Sequence, residues 1–220
     1  MQGVMLVLVA AVGYLLGSIP IGVILTRWFA GRDVRQSGSG RTGSTNVMRV
    51  GGWKLGLVTG VIDALKAAPA VWLAQLLLPG NHWAGVIAGL VAVLGHVYSI
   101  FIGFKGGAGG APAIGAAIAL WPWTAAIVIP LGALVWYGVG YASVATMSFS
   151  VIIITIMAVR WYIHQGPSEY IAYGIGTLII CLWTLRPNIS RLLKGTEPLH
   201  GWRAKRLRQH ENDSASSTGQ

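Results

Sequence analysis

Three stretches of this chain contain no Asp, Glu, Lys or Arg: residues 4–26, 82–104 and 106–159, which are 23, 23 and 54 residues long. A helix needs about 20 mainly apolar residues to cross the hydrocarbon core of a bilayer, and each stretch reaches that length. Composition points the same way. Only 10% of the residues are charged and 54% are hydrophobic, whereas a soluble domain carries about 25% charged residues. The chain is therefore read as an all-α integral membrane protein, which excludes soluble enzymes, secreted disulfide scaffolds and nucleic-acid modules with one basic face. Cys181 is the single cysteine, so no intrachain disulfide can form.

As one helix the run 106–159 would extend about 81 Å, at ~1.5 Å per residue, so it must break. Trp121-Pro122 and Gly138-Val139-Gly140-Tyr141 offer the breaks. About seven membrane-embedded helices are expected, near 4–27, 55–78, 83–103, 112–121 (the short one), 123–138, 143–160 and 169–185. The N-terminal stretch lacks the basic n-region of a cleavable signal and outruns its length, so it is expected to stay as the first span. One domain covers 1–200; a basic, then disordered, cytoplasmic tail covers 201–220.

Charge sets the orientation. With the segment after the first span in the cytoplasm, fourteen of the sixteen Lys and Arg residues fall on that side. Only Lys66, inside a span, and Arg160, outside, do not. The positive-inside rule then predicts an external N-terminus and a cytoplasmic C-terminus. The net charge of +10 is read as topology plus attraction to anionic headgroups. Stacking platforms and reader folds for nucleic acid are absent from the sequence, so no nucleic-acid partner is expected.

Polar and glycine residues gather in three places on the expected cytoplasmic side. The first is GRDVRQSGSGRTGSTNVMR, residues 31–49, where hydroxyls and the cations Arg35, Arg41 and Arg49 surround Gly38, Gly40 and Gly43. Glycines let backbone N–H groups approach an oxyanion, and arginine supplies a forked charge suited to phosphate. A flexible juxtamembrane loop would have the same composition. The second is GFKGGAGGAP, residues 103–112, a glycine run leading into a helix whose first turn suits Pro112. Free amides and a positive dipole end make it a candidate phosphate cradle; a plain interhelical turn is the alternative. The third is RPNISRLLKGTE, residues 186–197, read as a short interfacial helix with Ile189, Leu192 and Leu193 on its apolar stripe.

Asp63 and Lys66 stand three apart within a span, on one helical face, either neutralising each other or lining a polar cavity. His96 near a span end is a weaker candidate. No metal-ligand cluster and no nucleophile–base signature is present in the sequence.

Taken in order, these pieces resemble the bacterial acyl-phosphate:glycerol-3-phosphate acyltransferases, the PlsY-type family. The matching stretches are Gly17-Ser18-Ile19-Pro20, Asp33-Val34-Arg35, GSGRTGSTNVMR at 38–49, Asp63-Ala64-Leu65-Lys66, Gly95-His96, Phe104-Lys105-Gly106-Gly107, Tyr141-Ala142-Ser143 and NISRLLKGTE at 188–197. The resemblance implies a bacterial plasma-membrane enzyme with its motif loops in the cytoplasm. It would transfer a fatty acyl group from acyl phosphate to the sn-1 hydroxyl of glycerol 3-phosphate, giving lysophosphatidate and phosphate, without a cofactor or metal. Its expected partners are the two substrates, membrane lipids and an enzyme that makes the acyl phosphate.

Carried over position by position, the resemblance implies catalytic roles for Ser39, Arg49 and Asn188. It implies substrate binding by Gly38, Gly40, Arg41, Thr45, Asn46, Lys66, His96, Lys105, Gly106, Gly107 and Gly109. Glycerol 3-phosphate is expected near Arg49, Lys66 and Asn188, and acyl phosphate near Ser39 and the glycine loop. Four positions depart from the family pattern: an amide is Arg41, a lysine is Ala108, a threonine is Pro112 and a histidine is Leu185. These departures define a second reading, a non-catalytic or substrate-altered relative that binds lipid precursors or a partner enzyme.

Overall fold

The computed structural model describes residues 1–200 together with Arg203, Ala204, Arg206 and Gln209, so the expected tail, 201–220, falls largely outside the described residues. Every regular element among them is helical. The α-helices are α1 (Gln2–Ser18), α2 (Ile21–Ala30), α3 (Ser44–Leu65), α4 (Ala68–Leu77), α5 (His82–Val97), α6 (Gly110–Leu120), α7 (Thr124–Val139), α8 (Ala142–Tyr162), α9 (Glu169–Thr184) and α10 (Arg186–Leu193). Among the described residues, four helical stretches are long and apolar enough to cross a membrane: Gln2–Ala30, Ser44–Leu77, His82–Ile102 and Ala142–Tyr162. A fifth joins them if α9 and α10, bent by 67°, are taken together, while α6 and α7 are shorter apolar helices.

The expected breaks in the long uncharged run are present. α6 stops before Trp121, and α7 ends at Gly140, whose φ of +76° suits a residue without a Cβ. Two expected boundaries differ. The first apolar stretch is not one helix over 4–27, because Pro20 follows Ile19 and divides α1 from α2. The second begins at Ser44 rather than 55, continues through a break at Gly52 (φ +86°), and divides again at Lys66-Ala67.

α1 and α5 run parallel and pack closely. A Cβ at Gly13 would press on the Ala88 carbonyl, and one at Gly17 on that of Ala92. Apolar surface supplies no net drive between helices in lipid, so close packing of small residues does this work. Gly95, against the Tyr14 backbone, continues the seam, and Ser99 Oγ closes it by donating to the Ser18 carbonyl. A second core gathers Ala116, Ala117, Ile153 and Met157 around Tyr173. The fully buried Tyr173 hydroxyl satisfies its donor on the Ala113 carbonyl at 2.8 Å. This packing brings the C-terminal ends of α1, α5, α7 and α9 to the same end of the bundle as the starts of α3, α6 and α8.

Candidate active site

All three polar segments meet at that end. The Thr42 amide donates to the Gly106 carbonyl at 3.5 Å, joining the first segment to the second. Arg41 donates to the Thr184 carbonyl at the end of α9. Thr184 Oγ1 in turn donates to the Ala108 carbonyl at 3.1 Å, closing the circuit.

The first segment is organised by Asn46. Its side chain is buried; Nδ2 lies 2.9 Å from each of the carbonyls of Val34, Ser37 and Arg41, which share its two protons, and Oδ1 accepts the Ser39 amide at 3.1 Å. Asn46 is therefore committed to shaping the loop and does not reach outward. Gly38 and Gly40 turn the loop around it at φ +61° and +69°, and a Cβ at Gly38 would overlap Asn46 Oδ1. Asp33 anchors the start of the loop through Arg35 at 2.7 Å and Arg27 at 2.8 Å. The Arg35 hydrogen bond holds its carboxyl well below the usual carboxylate range. Ser39 lies exposed at the rim and Thr45 is half-buried in the first turn of α3.

The glycine loop differs from the cradle expected for it. The amides of Gly106 and Gly107 are already given to the carbonyls of Val97 and His96, at 3.0 and 3.1 Å. The amides without a partner among the described residues are those of Ala108, Gly109, Gly110 and Ala111, at the start of α6. Beneath the loop lies a buried polar trio. Lys66 Nζ reaches Asp63 Oδ1 at 2.7 Å, the Ile19 carbonyl at 2.7 Å and His96 Nδ1 at 3.1 Å. Lys66 is thus held from three sides. It sits under the glycine loop rather than forming one group with Arg49 and Asn188. Because Nδ1 accepts from Lys66, the His96 proton is on Nε2, at the tip that packs on Gly107.

A cleft of about 370 Å³ opens beside the loop. Gly106, Gly107, Arg41, Lys105 and Arg186 line it together with Val97, Tyr98, Phe104 and Trp183, and the Arg186 guanidinium lies over the Trp183 ring at 3.5 Å. Desolvation lowers the pKa of Arg41, and Arg191 lowers it further while Glu197 opposes them; the guanidinium stays charged at neutral pH.

Next to the cleft stands an ionic group that the sequence alone did not single out. Glu197 is 6% exposed, accepts from Asn188 Nδ2 at 2.7 Å and from Arg191 Nε at 2.9 Å, and neighbours Arg49. Asn188 thus presents its amide through a carboxylate contact. Arg49 lies at the exposed rim and donates to His200 Nε2 at 2.7 Å. Glu197 did carry a signal, as the one carboxylate among the seven cations between residues 186 and 208. His200 carried none.

A family model described as glycerol-3-phosphate acyltransferase matches residues 7–195. A glycerol-3-phosphate acyltransferase of Rhizobium etli is 40% identical over 188 residues, covering 86% of this chain and 88% of the relative. One from Anaeromyxobacter sp. is 41% identical over 202 residues, covering 87% and 94%. One from Myxococcus xanthus is 42% identical over 186 residues, covering 84% and 94%. The fold also matches the crystal structure of PlsY (YgiH), an integral membrane glycerol 3-phosphate acyltransferase, in its glycerol 3-phosphate form. That match has a TM-score of 0.77 at 32% identity, over 89% of this chain and 96% of the other.

Proposed function

The chain belongs to the glycerol-3-phosphate acyltransferase family, and from that premise we propose how its two reactants sit at the gathered polar end. It is an acyltransferase of phospholipid synthesis. The donor in this reading is an acyl phosphate, the acceptor glycerol 3-phosphate, and the polar end faces the cytoplasm with the N-terminus outside. The crowding of cations at the polar end supports that orientation.

The single observation that carries the donor assignment is the mixed lining of the cleft, with cationic and aromatic side chains side by side. Arg41, Lys105 and Arg186 attract an acyl phosphate head, while Tyr98, Phe104 and Trp183 suit the start of its apolar chain. Glycerol 3-phosphate is placed beside it, on Arg49 and the Asn188–Arg191–Glu197 group. The cations Arg49 and Arg191 against the one carboxylate of Glu197 leave an excess of one positive charge there, facing the acceptor phosphate.

Acyl phosphate is a mixed anhydride, so no strong nucleophile has to be built. The sn-1 oxygen bonds to the acyl carbon as the bond from that carbon to the bridging oxygen breaks. The hydroxyl proton passes to the departing phosphate, giving lysophosphatidate and inorganic phosphate. Holding the two anions in reactive register is worth up to about 7–11 kcal/mol, and fixed cations steady the charge growing on the leaving oxygen. Ser39 and Thr45 at the rim are placed to orient the acceptor.

The test is turnover by purified protein in detergent supplied with acyl phosphate and glycerol 3-phosphate. Equimolar lysophosphatidate and phosphate support the reading, and loss of both in Arg49→Ala ties it to this site. Binding without turnover by the wild type would favour the non-catalytic alternative.

A further inference from the structure

The segment after α10 is a strap fixed at both ends. Gly195, at φ +68°, turns the chain out of the helix, and Glu197 then grips Asn188 and Arg191. Three residues on, the His200 amide donates to the Gly140 carbonyl at 2.8 Å, and its ring stacks on Trp136 with centroids 5.7 Å apart and planes 10° from parallel. The strap thereby delivers an imidazole to Arg49, whose side chain has no other hydrogen-bond partner among the described residues.

We propose that His200 is a positioning residue for Arg49, holding its guanidinium ready for the acceptor phosphate; this rests on the acceptor site assigned above. Arginine has no acceptor atom, so His200 Nε2 must be unprotonated to receive the bond. A neutral imidazole orients Arg49 without cancelling its charge, which a carboxylate in the same place would do. One of the five guanidinium N–H groups is used, and four remain for phosphate oxygens. Glu197 accepts from Asn188 and Arg191, and the Arg49 hydrogen bond goes to His200.

The arrangement is sensitive to acid. Around His200 stand Arg49 from α3, Glu197 on the strap, Arg203 beyond it, donating to the Gly138 and Val139 carbonyls, and uncharged Trp136 on α7 with Tyr137 beside it in sequence. Desolvation first, then Arg49, lowers the His200 pKa below 6.5, against the opposing pull of Glu197. His200 is therefore neutral at pH 7, and the contact fails as pH falls through that lowered value.

Kinetics and equilibrium binding of labelled glycerol 3-phosphate, on the purified full chain, test this. His200→Ala should raise the KM and the dissociation constant for glycerol 3-phosphate about five- to tenfold, with kcat and the acyl phosphate KM within about twofold. His200→Gln, which keeps a neutral acceptor, should restore most of the loss. The ratio of wild-type to His200→Gln KM cancels the substrate's own titration and should climb on acidification below 6.5. Trp136→Leu should imitate His200→Ala, and Trp136→Phe should not. Glycerol 3-phosphate binding unchanged in His200→Ala, or no rescue by His200→Gln, would overturn the proposal. A wild type that binds glycerol 3-phosphate but transfers no acyl group would instead contradict the catalytic reading, and the binding series would still decide the role of His200.

Discussion

Lys66 Nζ lies 2.7 Å from Asp63 Oδ1, one helical turn away, with Asp63 1% exposed and Lys66 9%. The pair lies under the glycine loop and is bound to it through His96. Removing one partner of a buried ion pair leaves the other uncompensated, which costs about 3–5 kcal/mol. Lys66→Met should therefore lower the melting temperature in detergent sharply. The double variant Asp63→Asn/Lys66→Met should recover much of that loss, since no lone charge remains. Equal melting of Lys66→Met and wild type would show that the pair carries no structural weight.

Gly107 has no room for a side chain, because a Cβ there would overlap the His96 ring. Gly107→Ala should displace the loop and reduce kcat/KM at least about tenfold, equivalent to about 1.4 kcal/mol. The clash is with one side chain, so Gly107→Ala added to His96→Ala should cost little more than His96→Ala alone. Additive losses in the kinetic cycle would place the defect elsewhere.

Arg41 faces the cleft and is bonded to the Thr184 carbonyl. Arg41→Ala should raise the KM for acyl phosphate about tenfold, the loss expected for a charge-assisted contact of ~1.4 kcal/mol. The KM for glycerol 3-phosphate should move much less. Arg41→Lys keeps the charge and loses the fork, so an intermediate KM is expected. A larger effect on the acceptor than on the donor would exchange the two sites.

Asp33 titrates below its ordinary value of 3.8 because Arg35, then Arg27, bond its carboxylate. A depressed folded-state pKa means stabilisation of the loop is present above 3.8 and is lost as pH falls below it. Asp33→Asn should speed amide hydrogen exchange over residues 33–41 at neutral pH. The difference from wild type should shrink as the medium is acidified through that range. An Asp33→Asn loop as protected as wild type at neutral pH would contradict this.

Much of the fold was legible because lipid enforces simple rules. A charge-free run of sufficient length becomes helix, since every backbone polar group must be satisfied within the segment. Breaks at Trp121-Pro122 and Gly140 followed from residues that cannot continue a helix. The helical start at Ser44 was not legible, because Gly51-Gly52 and the polar residues before it read as loop. At the site, clustering of glycines and arginines marked the right segments. It could not show that Asn46 turns inward, that Lys66 is held by the Ile19 carbonyl, or that Gly106 and Gly107 give their amides to α5. His200 was invisible for the same reason: its partners, Arg49 and Trp136, are distant in sequence.

The central claim is that the three polar segments form one pocket on a single membrane face. With Cys181→Ala as background, single cysteines at Gln36, Lys105 and Lys194, all exposed, can be labelled with a membrane-impermeant thiol reagent in sealed vesicles of each orientation. Asn81 and His164, exposed near the opposite end of the bundle, serve as controls. All three polar-end positions should react from the cytoplasmic side and the controls from the other. Reaction of the Gln36 and Lys105 positions from opposite sides would contradict the account.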